Sequence, residues 1–326
     1  MSVYWRPIPE EGGVLPLAGG WLRFSRLERL ERGGVPPRIL PAADAPPEVL
    51  AALTAPRAPV MGVGMDRPSV MGIVNATPDS FSDGGSYDGI AQGRMLIAEG
   101  ADLLDIGGES TRPGAADVTE AEEIARVAPV IAALAGTPIS VDTRKAPVAR
   151  AALAAGAGLI NDVSGFDFDP ALARVAADAG VPVCLMHAQG VPATMQDQPR
   201  YEDVLLDVYD ALAARIARAE AAGIARGRIL VDPGIGFGKT LDHNLAILNR
   251  ISLFHGLGCG ILLGVSRKRF IGEVAAQAVP RERMPGTLAV TLASVGQGVQ
   301  MHRVHDVAAA VQGLALWRAV TERTGR

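Results

Sequence analysis

From Ser69 onward, the sequence alternates eight times between a short apolar run and a longer, alanine-rich amphipathic stretch. The short runs have the length of buried strands, and the stretches between them have the hydrophobic period of helices. We place the strands near residues 69–74, 102–106, 138–142, 157–160, 181–186, 228–231, 260–264 and 299–302. The helices fit residues 88–99, 119–134, 146–155, 170–179, 201–222, 243–252, 285–296 and 306–321.

Eight βα units over roughly 250 residues are what a (β/α)8 barrel requires. A doubly wound open sheet usually has fewer strands, and it would carry a phosphate-binding glycine fingerprint after its first strand, where this sequence has none. The predicted fold class is therefore α/β, a TIM barrel over residues 67–326 with an N-terminal extension over residues 1–66. The extension shows a helical stretch at 47–53 and a short amphipathic turn at Phe24–Leu30. It is too small for a large core of its own, so we expect it to pack on the barrel.

The charge, the hydropathy and the cysteines of the sequence bear on nucleic-acid binding, membrane association and disulfide formation. The net charge is −4 with both signs interspersed, which gives no basis for binding nucleic acid or an anionic membrane through bulk charge. No basic-then-apolar leader begins the sequence, and no apolar run reaches the roughly 18 residues of a membrane span, so we expect a cytoplasmic protein. Cys184 and Cys259 lie in apolar runs without metal-ligand spacing, which predicts buried free thiols.

Polar residues follow every predicted strand, and the chemistry of a barrel belongs at these carboxyl ends. They are Asn75; Asp105 and the residues from Glu109 to Gly114; Asp142 to Arg144; Asn161 and Asp162; Met186 and His187; Asp232 to Gly238; Ser266 to Lys268; and Arg303 to Asp306. The first strand also leads into Thr77–Gly85, a Ser, Asp and Gly segment with an aromatic ring that has no core to join. Such a segment is predicted to fold over a ligand.

These residues divide into two chemical groups. The first offers two carboxylates, an amide and an ammonium: Asp142, Asn161, Asp232 and Lys268. That set suits a flat heterocycle with an amino edge and a carbonyl, such as a purine or a pterin. The second offers cations, a hydroxyl and an amide: Asn75, Thr111, Arg112, Arg303 and His305. It suits a diphosphate with a divalent ion.

Simpler interpretations apply to several residues taken alone. Asp142 and Asn161 would more often cap strand ends than bind ligands. His187 is better explained as a hydrogen-bonding residue of the core or of a loop, and the same holds for His302. Lys239 is expected at the solvent-exposed surface, and Phe237 is as consistent with packing as with ligand contact.

Several segments closely resemble the signatures of the dihydropteroate synthase family, in the family's order. The two main ones are Met71–Gly85, with the sequence MGIVNATPDSFSDGG, and Asp105–Gly114, with the sequence DIGGESTRPG. Shorter matches are NDVSG at 161–165, DPGIGFGKT at 232–240, SRK at 266–268 and RVHD at 303–306. The resemblance covers about residues 67–322. It implies a pterin-binding barrel, a sulfonamide target, that joins 6-hydroxymethyl-7,8-dihydropterin diphosphate to 4-aminobenzoate and releases diphosphate in folate biosynthesis.

The resemblance also implies roles for individual residues. Its substrate-binding set is Phe81, Thr111, Arg112, Asp142, Asn161, Met186, Asp232, Phe237, Lys268, Arg303 and His305. Its catalytic set is Asp83, Arg303 and His305, and Asn75 is implied as a ligand of Mg²⁺, the one cofactor. The implied reaction proceeds by departure of diphosphate and attack of the amine on a pterin methylene cation. The family further suggests a homodimer that acts on small molecules.

Two positions depart from the family pattern. Arg269 stands where a serine near the aminobenzoate is common, and Ala188 stands where a methionine is frequent. Two other functions remain open at this point. A corrinoid-linked methyltetrahydrofolate methyltransferase would share the barrel but would not use both loop segments. A non-catalytic pterin-binding paralogue would be expected to lose some of the matched polar residues.

Overall fold

The computed structural model describes residues 3–76, 86–110, 118–190 and 199–321. Eight parallel strands close into a barrel in which each strand pairs with the next along the chain and the last pairs with the first. They are β5 (Ser69–Asn75), β6 (Leu103–Gly107), β7 (Ile139–Asp142), β8 (Leu159–Asp162), β9 (Val183–Met186), β10 (Ile229–Asp232), β11 (Gly260–Leu263) and β12 (Met301–Val304). The predicted TIM barrel is confirmed.

Helices alternate with the strands and lie outside them. They are α1 (Pro47–Thr54) in the extension, then α2 (Ser86–Ala98), α3 (Glu120–Ala133), α4 (Ala146–Ala155), α5 (Ala171–Ala179), α6 (Val204–Ala221), α7 (Leu241–Asn249), α8 (Arg269–Val274), α9 (Met284–Val295) and α10 (Val307–Thr321). Short helix α8 is not among the predicted helices. Its six residues are too few to show a helical period in a sequence.

Local sequence explains where these elements begin and end. Thr119 caps α3 through a capping box in which its side chain accepts from the Glu122 amide and Glu122 reaches back to the Thr119 amide. Gly156 follows the last residue of α4 and ends that helix. Its φ is 116°, a left-handed conformation that only glycine adopts at little cost. The barrel strands are buried along nearly their whole length, as expected where helices cover one face and the barrel interior the other.

The N-terminal extension forms an antiparallel sheet of four strands. They are β1 (Val3–Pro9), β2 (Leu15–Pro16), β3 (Arg23–Glu31) and β4 (Arg38–Pro41). The predicted amphipathic turn at Phe24–Leu30 is wrong, because these residues belong to β3. A bulge at Ser25 shifts the register, since Ile8 pairs with Arg26 while Pro9 pairs with Phe24. The extra residue gives the strand an apolar spacing that resembles a helical turn.

Strand β3 is buried on both sides. Phe24 and Leu27 pack with Leu53 of α1 in a small core that belongs to the extension. Leu30 joins the main core of the barrel, and Glu28 pairs with Arg250 across the interface at 3.2 Å. The sheet also contacts a 3-10 helix at Ile251–Leu257, which precedes β11.

The last residues of the extension, just before β5, close one end of the barrel. Val60 and Val63 bond to each other through their backbones in a tight turn, and Met65 follows it. All three side chains pack on the residues that fill the first half of the strands, among them Leu103 and Leu230. This group, which we call the apolar plug, comprises Val60, Val63 and Met65.

Both cysteines are buried and unpaired, which confirms that prediction. Burial raises the pKa of Cys184 well above its ordinary value and that of Cys259 to about 12, so both are held as thiols. Within the residues that the structure describes, no helix is long and apolar enough to cross a membrane.

Candidate active site

The polar residues predicted at the strand ends converge at the carboxyl end of the barrel. Asn75, Asp142, Met186 and Asp232 are the last residues of β5, β7, β9 and β10. Asn161 is the next-to-last residue of β8, because that strand extends two residues beyond the predicted end. Each carboxylate or amide therefore projects from a rigid strand, the placement that allows accurate positioning of a ligand.

Arg303 of β12 connects two carboxylates inside this end of the barrel. Its Nε donates to Oδ2 of Asp105 at 2.5 Å, and its Nη2 donates to Oδ2 of Asp142 at 2.8 Å. The Nδ2 of Asn161 also donates to Oδ2 of Asp105, at 3.0 Å. We call Asp105, Asp142, Asn161 and Arg303 the polar cluster. It joins strands that lie on different sides of the barrel.

Asp105 was expected at the carboxyl end of its strand but was assigned to neither of the two chemical groups. It is completely buried in β6, and its Oδ1 has no hydrogen-bond partner among the described residues. A buried carboxylate oxygen without a partner is costly, so a donor on a ligand is the natural means of satisfying it. The sequence does contain an indication of this role. Asp105 is a carboxylate inside the apolar run Leu103–Gly107, and a strand buried on both faces has no side on which a charge could reach solvent.

The polar cluster shifts the pKa values of its members. Burial penalises the Arg303 charge, but Asp105 and Asp142 outweigh that penalty and raise the pKa of the guanidinium above its ordinary value. Burial also raises the pKa of Asp142, to about 7, against the opposing effect of Arg303. Two carboxylates share one cation here, so the second of them is only partly neutralised.

Asp232 and Lys268 occupy the neighbouring part of the site. Oδ1 of Asp232 accepts the Gly234 amide at 2.7 Å, and burial raises the pKa of this carboxyl group despite the nearby Lys268 charge. Nζ of Lys268 donates to the carbonyl of Ile235 and lies 4.5 Å from the centre of the Phe237 ring. Burial lowers the pKa of Lys268 to about 8.

Lys239 does not face solvent, and that expectation is wrong. Its side chain is buried beside His187, with Nζ 2.9 Å from His187 Nδ1 and bonded to the carbonyls of Gly234 at 2.9 Å and Phe237 at 3.1 Å. Lys239 therefore ties the turn at Gly234–Gly238 to the end of β9. Burial lowers the pKa of His187 to about 2, so the ring is neutral and serves as a buried hydrogen-bonding residue, as predicted.

His305 lies one residue beyond β12 and is oriented by Ser266. The Ser266 hydroxyl oxygen accepts the His305 amide at 3.1 Å and lies 2.9 Å from its Nδ1. Between Ser266 and Lys268, Arg267 has a φ of 59°, a left-handed conformation that costs about 1–3 kcal/mol outside glycine. Its side chain forms an ion pair with Asp306 at 2.5 Å.

A buried ionic network lies behind the polar cluster and was not predicted. Nζ of Lys145 donates to Glu109 at 3.1 Å, to Glu123 at 2.8 Å and to the carbonyl of Val118 at 2.5 Å. Glu109 in turn accepts the Val118 amide at 3.0 Å. Residues 109 and 118 are thereby held together across the carboxyl end of the barrel, through partners distant in sequence.

Four predicted site residues, Phe81, Asp83, Thr111 and Arg112, lie outside the described residues. The two departures from the family pattern are described. Arg269 is the first residue of α8, where its exposed side chain pairs with Glu273 at 2.6 Å. Ala188 is half-buried beyond β9.

Comparison with known proteins agrees with this geometry. The pterin binding enzyme family matches residues 71–305. Dihydropteroate synthase of Neisseria meningitidis serogroup B is 49% identical over 259 residues, which cover 76% of this chain and 91% of that protein. Dihydropteroate synthase of Xanthomonas albilineans, solved with 4-aminobenzoic acid, is 48% identical with a TM-score of 0.77 over 81% of this chain and 98% of the other. A structure of the Xanthomonas albilineans enzyme in complex with 7,8-dihydropteroate is 46% identical with a TM-score of 0.74, and the match again covers 81% of this chain and 98% of the other.

A closed (β/α)8 barrel with buried carboxylates at its carboxyl end and a match to the pterin binding enzyme family defines a pterin-binding enzyme. Its class is that of the transferases, and its substrates are small molecules. Within that class, the chain belongs to the dihydropteroate synthase family.

Proposed function

We propose that this chain joins the methylene carbon of 6-hydroxymethyl-7,8-dihydropterin diphosphate to the amine of 4-aminobenzoate, giving 7,8-dihydropteroate and diphosphate. The observation that carries the proposal is the set of buried acceptors and donors around Arg303. It combines the carboxylates of Asp105, Asp142 and Asp232 with the amide of Asn161 and the ammonium of Lys268. Relatives in the same family are dihydropteroate synthases, and one is solved with 4-aminobenzoic acid.

The pterin ring has a donor edge and a carbonyl, and the site offers matching groups. Asp232 accepts from the aminopyrimidine edge, while Lys268 donates to the ring carbonyl. Asn161 and Asp142 provide further hydrogen bonds to the ring. A neutral ring in a buried pocket leaves all of these groups without water, so each unmatched group would cost about 1–3 kcal/mol. This selects a ring with the pterin pattern of donors and acceptors.

Arg303 would lie against the ring face and reach the diphosphate. Its position is already fixed by Asp105 and Asp142, so little side-chain entropy is lost when the substrate binds. A guanidinium has five N–H donors, of which these two carboxylates engage Nε and Nη2. The remaining geometry allows one cation to be shared between the protein carboxylates and the phosphate oxygens.

The donors at this end fit a Mg²⁺ ion held jointly with the diphosphate. Among the described residues, no group of three or more His, Cys, Asp or Glu could hold a metal ion. Mg²⁺ in phosphate sites commonly takes one or two protein oxygens and completes its shell with phosphate and water. Asn75 supplies such an oxygen at the end of β5. When bound, Mg²⁺ would supply positive charge that stabilises the diphosphate leaving group.

The reaction needs one bond to break and one to form. The carbon–oxygen bond between the methylene and the diphosphate breaks, and its electron pair leaves with the diphosphate oxygen. Arg303 and His305 stabilise the charge that develops there. The amine nitrogen of 4-aminobenzoate then donates its lone pair to the carbon and afterwards loses a proton. Because the amine is nucleophilic without a strong base, these residues act by positioning the substrates and by excluding water.

Residues outside the described ranges complete the proposal. Asp83 would offset the charge of the cation or accept the amine proton. Phe81 would contact the aminobenzoate, and Thr111 and Arg112 would lie near the diphosphate and the aminobenzoate. Met186 and Phe237, which are described, would pack on the pterin.

Three further proposals concern the whole molecule. Residues 67–326 act as the catalytic barrel and residues 1–66 as an extension packed on it. The protein works in the cytoplasm. Two copies form a homodimer, as the family suggests.

A turnover assay tests the proposal directly. Purified protein is mixed with the dihydropterin diphosphate, 4-aminobenzoate and Mg²⁺, and dihydropteroate and diphosphate are both measured. Equal amounts of the two products are expected from the complete mixture, and no dihydropteroate is expected when 4-aminobenzoate or Mg²⁺ is omitted. Pterin binding without either product would identify a non-catalytic paralogue. Methyl transfer from methyltetrahydrofolate to a corrinoid would support the methyltransferase alternative.

A further inference from the structure

Arg32, at the start of the hairpin between β3 and β4, pairs with two carboxylates of helix α6. Nη1 of Arg32 donates to Oδ1 of Asp207 at 2.6 Å, and its Nη2 donates to Oδ2 of Asp210 at 2.7 Å. The hydroxyl of Tyr4 on β1 also donates to Asp210, at 2.8 Å. Two strands of the N-terminal sheet thus meet one face of α6, where i and i+3 residues are neighbours.

Beyond this ionic contact, the loop of the hairpin stands away from the barrel. A cavity of about 660 Å³ separates residues 30–37 from residues 202–206 and from Ala246 and Arg250 of the α7 region. The hydrogen bonds of Arg32 fix the start of the hairpin loop to α6, beside the edge-on contact of Tyr4 with Tyr209 of that helix.

Asp207 accepts hydrogen bonds both from the hairpin and from the backbone that precedes α6. Its Oδ2 accepts the amide of Glu202 at 2.9 Å and that of Asp203 at 3.3 Å, while Oδ1 receives Arg32. A carboxylate with donors on both oxygens has one orientation. The backbone at residues 202–203 is accordingly held at a fixed distance from the N-terminal sheet.

Tyr201 adjoins this backbone and reaches the proposed pterin site. Its hydroxyl donates to the carbonyl of Gly238 at 2.8 Å, and its ring meets that of His243 edge-on at 5.0 Å. Gly238 ends the turn at Gly234–Gly238. The same turn places Phe237 beneath Lys268 and directs the Gly234 amide at Asp232.

We propose that the N-terminal sheet is a positioning element of the pterin site, which acts from Arg32 through Asp207 and Tyr201 on the turn at Gly234–Gly238. This inference rests on the proposed function, because that turn is taken to hold the pterin. The matched region of the family begins at residue 71, so the sheet lies outside it. Arg32 and Tyr201 touch no reacting atom and are positioning residues.

The test measures binding of 6-hydroxymethyl-7,8-dihydropterin by calorimetry in whole-length variants. Arg32→Met and Tyr201→Phe are each expected to weaken the pterin affinity about two- to thirtyfold, the range found when a residue in a coupled network is removed. The double variant should bind no more weakly than Tyr201→Phe alone, because both changes interrupt one connection. Thermal unfolding is recorded for every variant to show that each is folded.

Arg6→Met is the matched control. Arg6 lies in the same sheet and bonds to Glu28 at 2.6 Å and to Ser252 at 3.4 Å, with no contact to Asp207. It should lower the unfolding temperature and leave the pterin affinity unchanged. If Arg32→Met does not fold, Arg32→Lys replaces it, because a single ammonium cannot reproduce the fork that contacts two carboxylates.

The outcomes separate the two proposals. Unchanged affinity in a folded Arg32 variant, additive losses in the double variant, or an equal loss in Arg6→Met would each overturn the positioning role while the wild type still binds pterin. Failure of the wild type itself to bind the pterin would overturn the proposed function, and this inference with it.

Discussion

The two ends of the barrel are formed by the same eight strands but hold opposite kinds of side chain. At the amino ends of the strands, the apolar plug of Val60, Val63 and Met65 lies on a layer of apolar residues. At the carboxyl ends, the polar cluster around Arg303 is almost as deeply buried. Since the backbone is the same at both ends, the difference lies entirely in residue type.

The difference shows how the fold separates stability from binding. Burial opposes the charges at the carboxyl end, where it raises the pKa of Asp142 and Asp232 and lowers that of Lys268. Apolar burial at the other end is favourable, at about 25 cal/mol per Å². The apolar plug can therefore offset the cost of burying charged groups at the opposite end of the barrel, where we propose that a ligand binds.

The largest expected effect comes from Arg303→Met. Removing the cation leaves the carboxylates of Asp105 and Asp142 buried without a neutralising charge, which should lower the free energy of unfolding by about 3–5 kcal/mol. Turnover should fall roughly 10²-fold or more, because a donor to the leaving group is lost. Chemical denaturation and product formation measure the two effects.

Arg57→Met provides the control at the other end. Arg57 donates to the carbonyls of Ala52 and His255, both at distances of 2.8–2.9 Å, and meets no carboxylate. Its loss should cost about 1–3 kcal/mol of stability with turnover unchanged. An equal loss of turnover in both variants would show that the two ends do not differ as described.

Met65→Ala in the apolar plug should weaken the protein without weakening the site. A buried methionine truncated to alanine costs about 2–5 kcal/mol of unfolding free energy. The pterin affinity of the folded variant should equal that of the wild type, as measured by calorimetry. A pterin affinity that declined with stability would mean that the plug also shapes the site.

Asp232→Asn at the carboxyl end should have the opposite effect to Met65→Ala, because it should weaken pterin binding without lowering stability. The amide keeps the shape of the side chain but presents a donor to the donor edge of the pterin, which should cost about 1.5–3 kcal/mol of binding free energy. Stability should change little or improve, because a buried charge is removed. Asp66→Asn, an exposed site next to the plug, is the matched control. Unchanged pterin affinity in folded Asp232→Asn would reject this residue as a pterin ligand.

The smallest effect is a pH dependence. Asp142 must be ionised to accept from the ligand and Lys268 must be protonated to donate, so pterin affinity should be greatest between their pKa values of about 7 and about 8. It should fall by up to about tenfold per pH unit on either side. Asp142→Asn should abolish the acid limb, and an acid limb with the same midpoint in that variant would assign the titration to another group.

The raised pKa of Asp142 also makes the stability of the protein depend on pH. The folded pKa of Asp142 exceeds its ordinary value of 3.8, so between about pH 4 and pH 7 the folded protein holds a proton that the unfolded chain has released. The contribution of this group to stability is therefore full below that range and is lost as pH rises through 7. Denaturation of Asp142→Asn across this range should show a flatter pH profile.

The sequence was sufficient for the barrel and for placing a set of polar residues at the carboxyl ends of its strands. Eight alternating patterns located the strands to within about two residues, because each buried strand is bounded by polar residues. Asp142, Asn161 and Asp232 could be selected because a polar residue at the end of an apolar run is visible in one dimension. Arg303 and Lys268 were selected for the same reason.

The features that the sequence did not reveal depend on contacts between distant segments. Asp105 was counted among the strand-end residues, but only its bonds to Asn161 and Arg303 show that it belongs with the polar cluster. Lys239 resembles a surface residue until the turn before it folds around its ammonium group. In the N-terminal sheet, the bulge at Ser25 interrupts the alternation of buried and exposed residues, so the buried residues Phe24 and Leu27 are three positions apart instead of two.

The pairing of the first barrel strand with the last also bears on how the chain folds. Strand β5 is apolar and buried on both sides, and one of its two neighbours is β12, near the end of the chain. During synthesis, β5 therefore emerges long before the strand that covers its edge. Such long-range pairing is slow to form and leaves an exposed edge open to association with other chains. We expect refolding yields to depend strongly on protein concentration.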